Sequence, residues 1–313
     1  MLTRRRLIAN LGIVGAGMLL APRAWAIPPT RSDRPLRFGL ISDLHHLQFG
    51  NREEARLAAF MDMALAHNPD FILQNGDFCR PTGSDGIMAQ WNRFPGPRYH
   101  VLGNHDMDVC DKATIMRLWG MERPYYSFDT GGYHFVVMDR NFLKASDGTL
   151  TDYAHSNWGP LPSPQRSFTD PAQLDWLRRD LAAATSPTIV FMHQPVWLSD
   201  FVNEIGNASD ILAIFDEANL STHRVAAVFM GHDHDDRYGE RNGVHYFLLN
   251  SATYAYCSKG AFFYKDPLFA FVTLEPSGRL VLEGRASVYR DGAPDDVRED
   301  FPSKISDHAV QVF

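Results

Sequence analysis

Between residues 37 and 285, short runs of apolar residues alternate with longer stretches in which apolar positions recur every three to four residues. Runs of the first kind predict strands buried on both faces, and the second kind predicts amphipathic helices. Strands are expected over residues 38–41, 71–73, 99–102, 188–192 and 225–230. A helix is expected over 52–67, and another from the Asp170-Pro171 start signal through Leu174, Trp176, Leu177 and Leu181. Residues 125–129 and 133–139 predict a hairpin turning at Gly131-Gly132, and 244–250, 269–274 and 280–285 predict further strands. Strands alternating with helices imply crossover connections and an α/β fold. The chain shows no internal repeat and no linker, so residues 27–313 read as one domain. The stretch 141–167, rich in Gly, Pro and Ser, reads as a long insertion over one face, and loops of that length are usually functional or disordered.

Five of the predicted strands run straight into polar clusters. They lead into Ser42-Asp43-Leu44-His45-His46, Asn75-Gly76-Asp77, Gly103-Asn104-His105-Asp106, His193, and Gly231-His232-Asp233-His234. Ligands of α/β sheets bind beyond the carboxyl ends of strands, which is where these residues fall. Residues two apart on extended chain point the same way, so Asp43 with His45, and His232 with His234, can each face one site. Oxygen and imidazole donors without thiolate suit Mn, Fe, Zn or Co.

Composition narrows the classes. Hydrophobic residues at 45% and charged residues at 21% exclude a disordered or low-complexity chain. The net charge of −7, with no Lys/Arg-rich run beyond the first few residues, argues against a nucleic-acid partner. Three cysteines are too few for a disulfide framework. Cys79 and Cys110 each follow a polar cluster, and either a bridge between them or two free thiols fits the sequence.

Residues 1–26 read as an export signal rather than as part of the fold. Thr3-Arg4-Arg5-Arg6-Leu7-Ile8 precedes an apolar stretch over about 7–21, and Ala24-Trp25-Ala26 supplies small residues at the cleavage spacing. This resembles a twin-arginine signal, which implies the twin-arginine export machinery as a partner and a periplasmic or secreted product. The apolar stretch is shorter than the ~18 residues a membrane span needs, so no span is expected after cleavage. Removing four arginines and no acidic residue leaves a mature chain at −11.

Taken together, the order Asp43-x-His45, Gly76-Asp77, Gly103-Asn104-His105-Asp106, His193, Gly231-His232-x-His234 resembles the calcineurin-like metallophosphoesterase family over residues 37–250. The resemblance implies a four-layer αββα arrangement, a β-sandwich flanked by helices. It implies two divalent transition metal ions, one held by Asp43, His45, Asp77 and His234, the other by Asp77, Asn104, His193 and His232. Asp77 would bridge them, since two nearby cations are best held by a shared carboxylate. The implied reaction is hydrolysis of a small-molecule phosphodiester or phosphomonoester by a hydroxide between the ions, with a slight lean to diesters. His105 is placed as general acid, and Asp106 as the carboxylate that orients it.

The chain also departs from family patterns. Many members carry Asp three residues beyond the bridging Asp, and the purple acid phosphatases carry Tyr there; this chain has Arg80. His45 stands where the purple enzymes have Gly, which speaks against a ferric-tyrosinate centre. Arg80 could bind a substrate phosphate or pair with a neighbouring carboxylate, and His46 could reach the substrate or stand behind the ligands. The aromatic group Tyr254, Tyr256, Phe262, Phe263 and Tyr264 reads either as packing or as the wall of a pocket. The rival reading from another class is a non-catalytic, metal-dependent binding module on the same fold; the retained His105 argues against it.

Overall fold

Side chains that alternate between two buried faces along the central strands generate the layers. A computed structural model describes residues 33–50, 52–159, 166–200, 206–220 and 225–313, so the expected export signal lies outside the described residues. The first sheet is built on three parallel strands, β1 (Leu36–Ile41), β2 (Phe71–Gln74) and β3 (Arg98–His100). It is extended antiparallel by β14 (Ala270–Leu274), β15 (Arg279–Gly284) and β16 (His308–Gln311), in the order β16-β15-β14-β1-β2-β3. The second sheet contains β4 (Tyr126–Thr130), β5 (Tyr133–Val137), β8 (Thr188–Phe191), β9 (Val225–Met230), β10 (Arg237–Arg241) and β11 (Val244–Leu248). Its order is β10-β11-β9-β8-β5-β4, parallel from β11 through β5 and antiparallel at both edges.

Phe38 and Leu40 of β1 face inward and meet Phe135, Val137, Ile189, Phe191 and Phe229 of the second sheet. Phe38 presents its ring edge-on to Phe135, Phe191 and Phe229, with centroids 6.1, 5.7 and 6.0 Å away, a favoured aromatic geometry. The intervening residues face outward. Ile41 and Ile72 pack with Leu57, Phe60 and Met61 of α1 (Glu53–His67), and with Ile87 and Trp91 of α2 (Asp85–Trp91) and Ile115 of α3 (Lys112–Trp119). Val136, Val190 and Val228 pack against Leu177 of α4 (Pro171–Ala183) and Ile211 and Phe215 of α5 (Ala208–Asn219). Helix, sheet, sheet, helix is the four-layer arrangement expected.

Local signals set the helix limits. Asp170 caps α4 by accepting from the backbone N–H of Gln173 at 3.1 Å, with Pro171 at the first helical position. Two small hairpins stand apart from the sheets: β6 (Phe142–Lys144) with β7 (Leu150–Asp152), which opens the 141–167 insertion, and β12 (Tyr254–Cys257) with β13 (Gly260–Phe263). A short helix α6 (Asp295–Asp300) precedes β16. Among the described residues, no helix is long and apolar enough to cross a membrane. Cys79 and Cys110 are both buried free thiols: Cys79 Sγ accepts from the Trp119 indole N–H at 3.4 Å, and Cys110 Sγ donates to the Asp106 carbonyl at 3.4 Å.

Candidate metal centre

All five polar clusters lie beyond the carboxyl ends of parallel strands: Asp43 and His45 after β1, Asp77 after β2, Asn104 after β3, His193 after β8, His232 and His234 after β9. The β1 and β2 extensions remain paired, with Asp43 N–H donating to Gly76 O at 3.0 Å and His45 N–H to Asp77 O at 2.8 Å. Yet five of these side chains sit on left-handed backbone, with φ of 54° at Asp43, 54° at His45, 50° at Asp77, 78° at His232 and 56° at His234. Each such residue costs on the order of 1–3 kcal/mol, a strain that persists where the surroundings over-determine it. Two glycines let the loops close this tightly. A Cβ on Gly103 would lie 2.1 Å from the Asp77 nitrogen, and one on Gly76, whose φ is +96°, would lie 2.3 Å from His193 Nδ1.

The expected ligands gather into two groups, Asp43 with His45 and His234, and Asp77 with His193 and His232, each offering ligand atoms within 4.8 Å of one another, and His105 comes within the same distance of His45 and Asp77. His45 Nε2 and His234 Nε2 are 2.8 Å apart and stand 3.6 and 3.3 Å from Asp43 Oδ1. Asp77 reaches both groups, its Oδ2 lying 3.1 Å from His193 Nε2 and 3.7 Å from His45 Nε2. His193 Nδ1 lies 2.8 Å from the Asn75 carbonyl and donates its proton there, which directs Nε2 into the site.

The chemistry of this donor set fits metal ions. Asn104 Oδ1 is buried and has no hydrogen-bond partner among the described residues, as a carbonyl oxygen intended for a cation would be. Burial drives the His45 imidazole down to about 4, leaving it neutral and able to coordinate. Burial also disfavours the charged forms of Asp43 and Asp77, but the surrounding imidazoles, His193 foremost, hold both carboxyls below their usual range. The same carboxylates overcome burial at His193 and raise it to about 10. Two buried ionised carboxylates call for positive charge beside them, which divalent ions held by this donor set would supply.

The structure corrects the role expected of Asp106. Its carboxylate accepts four backbone N–H groups, from Phe78 at 2.7 Å, Gly103 at 2.8 Å, Asp77 at 3.0 Å and Cys79 at 3.1 Å. It clamps the β2 and β3 loops together and is not the partner of His105. That partner is Asp108, whose Oδ2 lies 3.0 Å from His105 Nδ1. Residues 105–107 form a 3₁₀ turn, and in that geometry side chains three apart eclipse, which sets Asp108 rather than Asp106 beside the imidazole. Of the two readings of Arg80, pairing with a carboxylate is the one seen: its guanidinium bonds the same Asp108 oxygen. His46 is buried beside Arg80 in a small cleft behind His45, and neither lines the main cavity.

That cavity, about 300 Å³, opens directly over the cluster and is lined by His45, Asp77, His105, His232 and His234 on its floor. Its walls come from residues that sequence reasoning did not assign to the site: Gln48, Phe49, Trp158 and Arg166. The aromatic group of residues 254–264 divides between its two readings. Tyr254 and Tyr256 line the cavity, whereas Tyr264 is buried in the core with its hydroxyl donating to Asn250 Oδ1 at 2.8 Å. Trp158 and Arg166 come from the insertion; Ser156 of the same segment donates to Asp108 Oδ1 at 3.0 Å, fastening it to the His105 side of the site.

The chain is similar to proteins of known activity and fold. A 3',5'-cyclic-nucleotide phosphodiesterase of Nostoc sp. is 24% identical over 248 residues, spanning 73% of this chain and 83% of that protein. A manganese-dependent ADP-ribose/CDP-alcohol diphosphatase of Oryza sativa is 26% identical over 59% of this chain and 70% of its own. A dimetal phosphatase from Danio rerio shares the fold, with a TM-score of 0.66 at 18% identity over 90% of this chain and the whole of that one. Residues 36–236 match the sequence profile of the calcineurin-like phosphoesterases, so that the clustered carboxylates and imidazoles, the four layers and the ordered motifs place this chain in the calcineurin-like phosphoesterase family of metal-dependent phosphoester hydrolases.

Proposed function

We propose that the protein is an exported two-metal hydrolase of phosphodiester or phosphomonoester bonds. The observation that carries this reading is the convergence of Asp43, His45 and His234 with Asp77, His193 and His232, with buried Asn104 Oδ1 lacking a hydrogen-bond partner in the same structure. Divalent ions held there would supply a nucleophile from water at neutral pH and neutralise charge on the phosphoryl oxygens. Asp43, His45 and His234 would hold one, Asn104, His193 and His232 the other, and Asp77 both.

The chain's own residues then account for the remaining work. His105, on the cavity floor, is positioned to donate a proton to the leaving oxygen, and Asp108 fixes its Nδ1 and orientation. Asp77 Oδ1 accepts the His105 backbone N–H at 2.7 Å, tying the proton donor to the bridging carboxylate. Asp106 holds both in register through its four amide bonds.

Metal-stripped protein starting near Ile27 and reloaded separately with Mn, Fe, Zn or Co is expected to regain hydrolysis of bis-4-nitrophenyl phosphate or 4-nitrophenyl phosphate as about two ions bind per chain. Full loading with no turnover of either ester under any metal would overturn the reading. The export component rests on the Thr3–Ile8 and Ala24–Ala26 patterns of the sequence. Full-length chain expressed in a host with twin-arginine export is expected outside the cytoplasm with a new N-terminus at Ile27, and Arg4→Lys with Arg5→Lys is expected to retain it inside. Unchanged localisation of that variant would remove the export assignment.

A further inference from the structure

The 141–167 insertion is fastened to the body of the protein beside each residue that it sends into the cavity. On one side, the backbone N–H groups of His155 and Ser156 donate to the carbonyls of Cys110 and Met107 at 3.0 and 3.3 Å, and Ser156 Oγ donates to the carbonyl and the carboxylate of Asp108 at 3.1 and 3.0 Å. Trp158 follows at once and meets the His105 ring edge-on with centroids 4.9 Å apart. On the other side, Ser167 is buried on left-handed backbone with φ of 61°. Its N–H donates to the Tyr153 hydroxyl at 2.9 Å, and its carbonyl accepts from Arg140 Nη2 at 2.7 Å. Tyr153 and Arg140 are themselves buried, so the strained residue is over-determined by its surroundings, and strain of this kind collects beside functional groups. The side chain it sets in place is that of its neighbour, Arg166.

Arg166 lines the cavity, and its guanidinium lies 5.7 Å from the centre of the Trp158 ring, within cation–π range. Apart from the imidazoles, it is the single cationic residue of the lining among those described. The floor below it carries the donor set for divalent ions, so a guanidinium on the wall faces like charge once they are held there. An anion between the two reverses the sign, because wall and floor then both attract it. The Trp158 indole N–H, buried with no hydrogen-bond partner among the described residues, is a second donor on the same segment.

Building on the phosphoesterase reading, we propose that Arg166 is a substrate-binding residue that donates to the non-bridging oxygens of the phosphoryl group in the cavity, with Trp158 as the platform that holds its guanidinium. The insertion thereby supplies an anion clamp that lies outside the ordered motifs carrying the metal ligands. A planar guanidinium offers parallel N–H donors to two phosphoryl oxygens, a geometry that an ammonium does not reproduce. The clamp reads the phosphoryl group itself, so inorganic phosphate engages it as an ester does.

Inorganic phosphate is therefore the probe, titrated by calorimetry into the metal-loaded mature chain alongside assays of bis-4-nitrophenyl phosphate hydrolysis. Arg166→Ala is expected to weaken phosphate binding about 10- to 100-fold, the usual worth of hydrogen bonds to a charged group, and to lower kcat/KM comparably, with metal content and Tm unchanged. Arg166→Lys, which keeps the charge without the fork, is expected to lie between that variant and wild type. Wild-type phosphate affinity in Arg166→Ala, loss of metal from it, or equal losses in the alanine and lysine variants would overturn the clamp while leaving the phosphoesterase reading intact. Fully loaded wild-type protein that neither binds phosphate nor turns over the ester would remove both.

Discussion

Replacing Asp77 with alanine is expected to reduce metal-dependent phosphoester hydrolysis by about 10³-fold or more and to leave the protein with fewer than two ions per chain. The magnitude follows from position: residues that merely support a metal ligand cost ~10- to 100-fold when lost, whereas Asp77 stands among the ligands themselves, its Oδ2 3.1 Å from His193 Nε2 and 3.7 Å from His45 Nε2. Its Oδ2 stands among the imidazoles, and its Oδ1 accepts the backbone N–H of His105. Alanine removes both functions, so Asp77→Asn is the informative partner. Asparagine can still accept from His105 N–H but brings no negative charge. Elemental analysis beside a rate measurement decides the matter. If Asp77→Asn keeps the fold yet loses an ion and the rate, the charge shared between the sites is what matters; two ions and a wild-type rate in Asp77→Ala would dismiss the bridge.

His105→Asn is expected to cost ~10²- to 10⁴-fold on an ester with an alkyl leaving group, the usual worth of a positioned general acid, with metal content nearly unchanged. On a 4-nitrophenyl ester the loss is expected to be much smaller, because that leaving group departs readily as an anion. Asp108→Asn, which keeps the imidazole but removes its charged partner, is expected to fall between wild type and His105→Asn on the alkyl ester. The contrast between leaving groups separates proton delivery from a general disturbance of the site. A uniform loss on both esters would point to misplaced metal ligands, and full activity on the alkyl ester would mean that the leaving oxygen takes its proton elsewhere.

The strands, the helices and the polar clusters at the strand ends were legible in the sequence because they are governed by short-range rules, whereas the four layers were implied by the family resemblance. Along β1 and β5 the side chains alternate between two covered faces, with Phe38, Leu40, Phe135 and Val137 turned toward the opposite sheet and Ile41 and Val136 toward the helices. The ligands follow the carboxyl ends of the parallel strands, and Asp43 and His45 do face one site, with Oδ1 and Nε2 3.6 Å apart, although on left-handed rather than extended backbone. The hairpin over 126–137 and the Asp170-capped helix were equally local.

What the sequence by itself determined, then, was an α/β alternation of strands and helices and the identity of the metal-ligand candidates, since strand patterns, helix caps and strand-end residue types act over a few positions; the αββα plan was implied by the resemblance of the ordered motifs to a family. Tertiary structure alone decided which carboxylate serves His105, because Asp106 and Asp108 are equivalent neighbours on paper until a 3₁₀ turn sends one to the backbone amides and the other to the imidazole. It likewise decided that Arg80 is held by Asp108, and that Phe49, Trp158, Arg166, Tyr254 and Tyr256 share one cavity although more than 200 residues separate the first from the last. Such contacts have no periodicity to announce them. They depend on how long connections close over the strand ends, and that is set by packing across the whole chain.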